Sequence, residues 1–212
     1  PRNKIDATLL RRLENNASVK YVEPDYRYRL LDTPRALGTN SRPNDGRYQE
    51  LWGLANINAE SAWKTATASP VVVAVLDTGV DYAHEDLKSN IWTNPSDSPD
   101  GKDNDGNGFT DDGHGADFTN NDGDPSDPHG HGTHCAGTIG AVGNNLQGVV
   151  GVNWGVKIMA LRIMRPAAPA SRIAKAIDYA VAHDAKVLSN SWGGPENLKI
   201  LEQAIERASK SG

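Results

Sequence analysis

The chain has 212 residues, of which 37% are hydrophobic and 23% are charged, enough to bury one sizeable core with a small appendage. No run of 18 apolar residues occurs, so we expect no membrane-spanning helix. Nucleic acid is not an expected partner, because no basic stripe is interleaved with aromatic residues. The single cysteine excludes an internal disulfide framework.

The net charge of −5 is unevenly distributed. Residues 1–47 carry ten Lys and Arg against six Asp and Glu, whereas residues 97–127 carry ten Asp and one Lys. The chain therefore has a basic leader and one acidic loop. It begins at Pro1 rather than at Met, so we expect it to be a piece of a longer product.

The first 47 residues have the pattern of a small separate unit. Residues 5–16 predict a short helix, and residues 18–30 predict an alternating strand that Pro24 interrupts. Residues 32–47 are rich in turn formers and indicate a linker or a processed region.

The rest of the chain alternates strands with helices. Residues 71–76, VVVAVL, are a continuous apolar run typical of a parallel strand that is covered on both faces. Further strands are predicted over 156–164 and 185–191. Helices are predicted over 59–66, over 171–184 with Ser171 as the N-cap, and over 195–212 with Leu198, Leu201, Ile205 and Ala208 on one face. This order predicts an α/β fold with a parallel sheet flanked by helices.

Asp77 follows directly on the first predicted strand. Catalytic and binding groups of open α/β sheets gather at the carboxyl ends of the strands. Asp77 could equally cap the turn that follows it. An aspartic protease would need a second Asp-Thr-Gly to share a proton, and only one is present.

Three histidines fall within six positions, in PHGHGTHCAG. His129, His131 and His134 lack the i, i+4 spacing with an intervening Glu of a helical zinc site. His131 and His134 could still share a helix face, so the pattern alone leaves a metal site open.

The acidic loop contains DNDGNGFTDD, which matches the first half of an EF-hand calcium loop. The match is partial, because His114 stands where an EF-hand has Glu. Oxygen ligands at alternate positions favour Ca²⁺ over zinc; the alternative is a solvated acidic loop. The predicted ligands are the side chains of Asp103, Asp105, Asn107, Asp111 and Asp112 and the carbonyl of Phe109.

Three segments together, VAVLDTGVDYAHEDL, HGHGTHCAGTIGAVGNN and VLSNSWGG, resemble the subtilisin-like serine proteases, the subtilases of peptidase family S8. The resemblance implies that Asp77 is the buried aspartate of a Ser-His-Asp triad and that His131 is its general base. His129 and His134 are then bystanders. Cys135 resembles the cysteine that proteinase K-like subtilases carry beside the base, and we interpret it as a small buried residue rather than a nucleophile.

The resemblance also implies a substrate-binding edge and a second calcium site. Ser191, Trp192 and Gly193 match the segment that pairs with an extended peptide or protein substrate. The second Ca²⁺ would lie between the start of the mature domain, the Asp of HEDL and the loop after the catalytic helix. The implied ligands are the side chains of Asp45, Asp86 and Asn145 and the carbonyls of Val142, Gln147 and Val149.

The family's oxyanion-hole asparagine and its Gly-Thr-Ser-x-Ala nucleophile segment do not occur in these 212 residues. The resemblance therefore implies a subtilisin-like domain that is incomplete at its C-terminus and inactive by itself. Residues 1–31 would be the end of an α+β inhibitor-type prodomain, 32–47 the processing region, and 48–212 the N-terminal part of the catalytic domain. An N-terminal helix and strand of the same domain is the alternative for residues 1–31.

The sequence thus predicts a piece of a secreted, calcium-binding, monomeric serine endopeptidase that its own prodomain inhibits. Two other classes stay open. One is an inactive calcium-binding subtilase-like domain that binds peptides or proteins, and the other is a metallohydrolase built on the three clustered histidines.

Overall fold

The computed structural model describes residues 42–165, 167–194 and 198–211, and a parallel β-sheet forms its centre. The predicted prodomain and most of the predicted linker lie outside these residues. The strands are β1 (Val72–Asp77), β2 (Gly115–Asp117), β3 (Lys157–Arg162) and β4 (Val187–Ser189). The helices are α1 (Trp52–Asn56), α2 (Ala59–Trp63), α3 (His131–Gly140), α4 (Ala170–Ala182) and α5 (Lys199–Lys210), with 3₁₀ turns at Tyr48–Glu50 and Lys88–Asn90.

The sheet has the strand order β2-β3-β1-β4, and its neighbouring strands are parallel. In β1, every residue after Val72 is buried, and β3 has the same pattern after Lys157. Strands covered on both faces need apolar side chains on both, which is why these segments do not alternate. At the carboxyl end of the sheet, Asp77 is the register partner of Arg162.

Helices cover both faces of the sheet. Val73 and Val75 of β1 point towards α3, with which they share an apolar cluster that includes Ala136. Ala74 and Leu76 of β1 point to the opposite face of the sheet. They pack against α4 and α5 in a second apolar cluster that includes Ile177. This arrangement confirms the predicted α/β fold with a parallel sheet flanked by helices. Among the helices in the described part of the chain, none has both the length and the apolar character needed to cross a membrane.

The structure corrects two local predictions for the helices after β3. Helix α4 begins at Ala170, with Pro169 before it and no side-chain cap bond, so the prediction of Ser171 as the N-cap was wrong. Pro169 has a φ of −68°, the value that its ring imposes, and its carbonyl accepts the first helical hydrogen bonds, from the N–H groups of Arg172 and Ile173. In α5, Leu198 precedes the helix and, like Ile205, is largely exposed, whereas Leu201, Ala204 and Ala208 pack towards the core.

Candidate active site

Asp77 and His131 are in direct contact at the carboxyl end of the sheet. Nδ1 of His131 lies 2.7 Å from Oδ1 of Asp77. The Asp77 side chain is 3% exposed, whereas that of His131 is 48% exposed. One side of the imidazole is therefore held by a buried carboxylate, and the ring remains open to solvent.

Backbone geometry explains how the helix reaches the strand so closely. His131 is the first residue of α3, and the next residue, Gly132, lies against the tip of β1. A Cβ atom on Gly132 would overlap the carbonyl oxygen of Gly79 and touch Cβ of Asp77 at 3.0 Å. The backbone N–H of Gly132 donates to the hydroxyl of Thr78 at 3.0 Å. Only glycine permits this approach, and the approach sets the distance between the two functional side chains.

The contact sets the protonation chemistry of His131. The hydrogen bond with Asp77, followed by the attraction of its charge, raises the pKa of His131 above its ordinary value. An ionised carboxylate can only accept hydrogen bonds, so Nδ1 of the neutral ring carries the proton. Nε2 is then the atom that can accept a proton from a hydroxyl group, and Asp77 would stabilise the resulting imidazolium.

Asp127 caps the helix that carries His131, a role the sequence analysis did not identify. The residue before the helix, Gly130, has a φ of 95° and no side chain to offer. Oδ2 of Asp127 accepts from the backbone N–H of Thr133 at 3.0 Å and from its hydroxyl at 2.7 Å, and Oδ1 accepts from the N–H of His129 at 2.9 Å. Asp127 lies three residues before the N-cap position, Gly130, so the usual preference for Asp at the N-cap does not mark it in the sequence.

The predicted substrate-binding segment lies beside this pair. The indole Nε1 of Trp192 donates to the carbonyl of Leu76, the residue before Asp77, at 3.0 Å. Sγ of Cys135 lies 3.5 Å from Oγ of Ser191 and 3.9 Å from Nδ1 of His131. The structure thus brings the start of the predicted segment 191–193 next to Asp77 and His131.

The other two clustered histidines do not join a metal-capable group in the described part of the chain. In two places, three His, Cys or Asp side chains have ligand atoms close enough to share a metal ion. One group is Asp77, His131 and Cys135, and the other is Asp105, Asp112 and His183. His129 and His134 belong to neither. The backbone of His134 instead continues α3, with its N–H bonded to the carbonyl of Gly130 at 3.0 Å.

The acidic loop folds around a buried polar cluster. The carboxylate of Asp112 accepts hydrogen bonds from the side-chain amides of Asn94 and Asn107, each at 2.7 Å. Oδ2 of Asp105 accepts from the same Asn94 amide at 3.1 Å and lies 3.4 Å from Nε2 of His183. The structure therefore gathers Asp105, Asn107 and Asp112 from the predicted calcium ligands. It adds Asn94 and His183, which no local sequence signal indicated.

The remaining predicted ligands of this loop have other contacts. Asp103 accepts hydrogen bonds from the backbone N–H groups of residues 106–108, and Asp111 from those of residues 100–101. The ring of Phe109 is buried in edge-to-face contact with other aromatic rings. The binding of calcium by this loop stays a prediction.

The two carboxylates of the second predicted calcium site are buried and face the same loop, residues 142–149. Asp45 is 5% exposed and Asp86 is 2% exposed. The backbone N–H of Asn144 donates to Asp45 at 2.8 Å, and the side-chain amide of Asn145 donates to Asp86 at 2.7 Å. The other predicted ligands in this loop are Val142, Gln147 and Val149. The structure thus brings the whole predicted set to one place, and its role in calcium binding stays a prediction.

Comparisons by sequence and by structure both find proteases that are similar to this chain. The family profile of Peptidase_S8, the subtilase family, matches residues 68–212, more than half of the chain. The extracellular protease of Xanthomonas campestris pv. campestris is 34% identical over 228 residues, which cover 97% of this chain and 38% of that protein. Subtilisin-like protease 1 of Plasmodium berghei is 35% identical over 176 residues, covering 80% of this chain and 29% of that protein.

A solved structure of a protease from Pseudoalteromonas arctica matches with a TM-score of 0.60 and 34% identity, covering 80% of this chain and 56% of that one. The chain thus spans less than two fifths of the two curated relatives and little more than half of this structure. The chain belongs to the subtilase family.

Proposed function

We propose that the chain is part of a serine endopeptidase that hydrolyses peptide bonds with a Ser-His-Asp triad. The observation that carries the proposal is the 2.7 Å contact between Oδ1 of Asp77 and Nδ1 of His131. Membership of the subtilase family supports it, because the family match spans residues 68–212, which include both Asp77 and His131.

In this proposal each residue has one chemical role. Asp77 fixes the tautomer and the orientation of the ring. His131 accepts, at Nε2, the proton of a serine hydroxyl that attacks the peptide carbonyl, and later gives that proton to the leaving amine. The serine and the oxyanion-hole asparagine would come from sequence outside these 212 residues.

The peptide substrate would lie in extended form along residues 191–193. Ser191 and Gly193 are exposed, and the bond from Trp192 to the carbonyl of Leu76 holds the segment at the tip of β1. An extended peptide presents unpaired backbone groups, so such an edge selects for conformation more than for side chains. The proposed substrates are therefore peptides and unfolded protein segments.

Calcium is the proposed cofactor, and the donors at both candidate sites fit it. Hard oxygen ligands of carboxylates, amides and carbonyls are what Ca²⁺ prefers. Asp45 and Asp86 are buried, and neither takes part in an ion pair found among the described residues. Among the described residues, the side chains of these two buried carboxylates accept hydrogen bonds from amide groups, and a bound cation would compensate their charge. Bound Ca²⁺ would supply positive charge that fixes the loops and would take no part in the chemical step.

We also propose that the parent protein is a secreted precursor with a removable prodomain. The extracellular protease of Xanthomonas campestris matches 97% of this chain, which supports a secreted location for the parent protein. Residues 1–31 would be the end of an inhibitory prodomain, cleaved from the catalytic domain within 32–47. We propose that the mature enzyme is a monomer.

The deciding experiment uses the continuous open reading frame that contains this chain. The encoded protein should cleave a fluorogenic peptide, and His131→Ala should reduce the cleavage to background. His129→Ala is the matched control, since it removes a neighbouring histidine whose ring makes no bond to Asp77. Full activity in the H131A variant would overturn the proposal. A wild-type parent that binds peptides without cleaving them would instead identify the inactive binding domain.

A further inference from the structure

The general base of the proposed mechanism occupies an electrostatically unfavourable place. His131 is the first residue of α3, where the unpaired N–H groups of the first turn create a partial positive charge. A histidine that must become an imidazolium at this point is opposed by the helix dipole. Asp77 compensates from the strand side, through the ring nitrogen Nδ1.

Asp127 compensates from the helix side. Its carboxylate accepts the N–H and the hydroxyl of Thr133 and the N–H of His129, so it lies over the positive end of α3. Partial burial by itself would raise the pKa of Asp127. The hydrogen bonds from Thr133 and from the backbone of residues 129 and 130 outweigh that effect and lower its pKa to about 2. Asp127 is therefore ionised throughout the range in which His131 titrates.

The same contact joins the helix to the loop that carries the aspartate. The hydroxyl of Thr133 donates to Asp127 and accepts the backbone N–H of Asp81 at 2.9 Å. Asp81 follows Asp77 by four residues, so Asp127 and Thr133 tie the first turn of α3 to the end of β1. A shift of this turn would change the distance between Asp77 and His131.

Side chains from the strand, from the residues before α3 and from α3 itself surround His131. Asp77 comes from β1, Asp127 precedes α3, and Cys135 lies one turn further along the helix. The ring of His129 has its centroid 6.5 Å from that of His131. The charge of Asp127 acts in the same direction as that of Asp77, because both raise the pKa of His131.

We propose that Asp127 is a positioning residue for His131: it holds the first turn of α3 against the end of β1 and offsets the helix dipole where the imidazolium forms. This inference rests on the proposed function, in which His131 is the general base. It predicts that the charge of Asp127, and not only its hydrogen bonds, adds to the larger effect of Asp77 on the basicity of His131.

The test is an NMR titration of the His131 ring in this chain. Asp127→Asn and Asp127→Ser both remove the charge and keep a side-chain oxygen that can accept a backbone N–H. Both should shift the His131 midpoint to lower pH, and Asp127→Glu should restore most of the wild-type midpoint. Asp122→Asn is the matched control, because it removes one charge from the same loop at a residue whose carboxylate binds the N–H of Asp124. It should leave the midpoint unchanged.

Two results would overturn the inference. One is a native spectrum with an unshifted His131 midpoint in either neutral variant. The other is loss of the folded state in both neutral variants while the Glu variant folds, since Asp127 would then have a purely structural role. The titration needs no nucleophile, so its outcome is separate from that of the cleavage assay. An inactive parent would count against the proposed function alone.

Discussion

Asp77 and His131 are 54 positions apart in the chain, and their side chains are joined by a bond of 2.7 Å between Oδ1 and Nδ1. Asp77→Asn should therefore lower the pKa of His131, because it removes the negative charge and replaces one carboxylate oxygen by an amide NH2 group. In the active parent we expect kcat to fall about 10⁴-fold, because the amide favours the wrong tautomer of the ring. NMR titration and peptide cleavage measure the two effects, and Asp81→Asn is the control.

This contact also predicts a pH dependence of stability. The pKa of His131 is raised in the folded chain, so protonation of this residue favours folding. The contribution is fully present below the ordinary pKa of histidine and is lost as the pH rises through the raised value. Urea unfolding across that pH range should show that the free energy of unfolding changes with pH differently in the wild type and in the D77N variant. Parallel pH profiles would contradict the prediction.

The chain by itself should not react with a serine-directed phosphonate. None of its segments matches the family's Gly-Thr-Ser-x-Ala nucleophile, and reagents of this class require an activated serine. Mass spectrometry after incubation should find no added mass, whereas the product of the longer reading frame should be labelled once. Stoichiometric labelling of the chain would show that one of its own serines is activated by His131, with Ser191 the first to examine.

The fold was largely predictable from local patterns, whereas the site was not. The apolar run at 71–76 identified β1 because a strand covered on both faces cannot alternate. The pairing of Asp77 with His131 came from resemblance to a family, since the histidine spacing alone left zinc open. Asn94 and His183 join the acidic loop from distant parts of the chain, and no periodicity connects them to it.

Calcium should stabilise the chain through the carboxylates of Asp45 and Asp86. Ligand that binds only the folded state raises the free energy of unfolding, by about 2.7 kcal/mol when its concentration is 100 times Kd, and therefore raises the midpoint of thermal unfolding. We expect excess chelator to lower the midpoint of the wild type and to have a smaller effect on Asp86→Asn. Asp178→Asn, at an exposed ion pair, is the control and should respond to chelator like the wild type. An unchanged wild-type midpoint in excess chelator would remove the proposal of calcium binding.

Two ion pairs of similar length should contribute very differently to stability. Arg162 binds Asp117 at 2.9 Å with side chains 10% and 0% exposed, whereas Arg207 binds Asp178 at 2.8 Å with both side chains about half exposed. Asp117→Ala leaves a buried guanidinium without its partner, and should lower the free energy of unfolding by about 3–5 kcal/mol. Asp178→Ala should cost at most about 1 kcal/mol, because solvent screens that pair. Urea unfolding of the two variants gives the comparison.

A double-mutant cycle separates the ion pair from the other bonds of Asp117. The same carboxylate accepts hydrogen bonds from the backbone of residues 119 and 120, so Asp117→Ala also loosens that turn. Arg162→Met removes the charge and keeps an apolar stem. If the buried pair dominates, the double variant should cost clearly less than the two single variants together. Strict additivity would show instead that Asp117 stabilises the sheet edge through its turn, and that Arg162, the register neighbour of Asp77, does not depend on it.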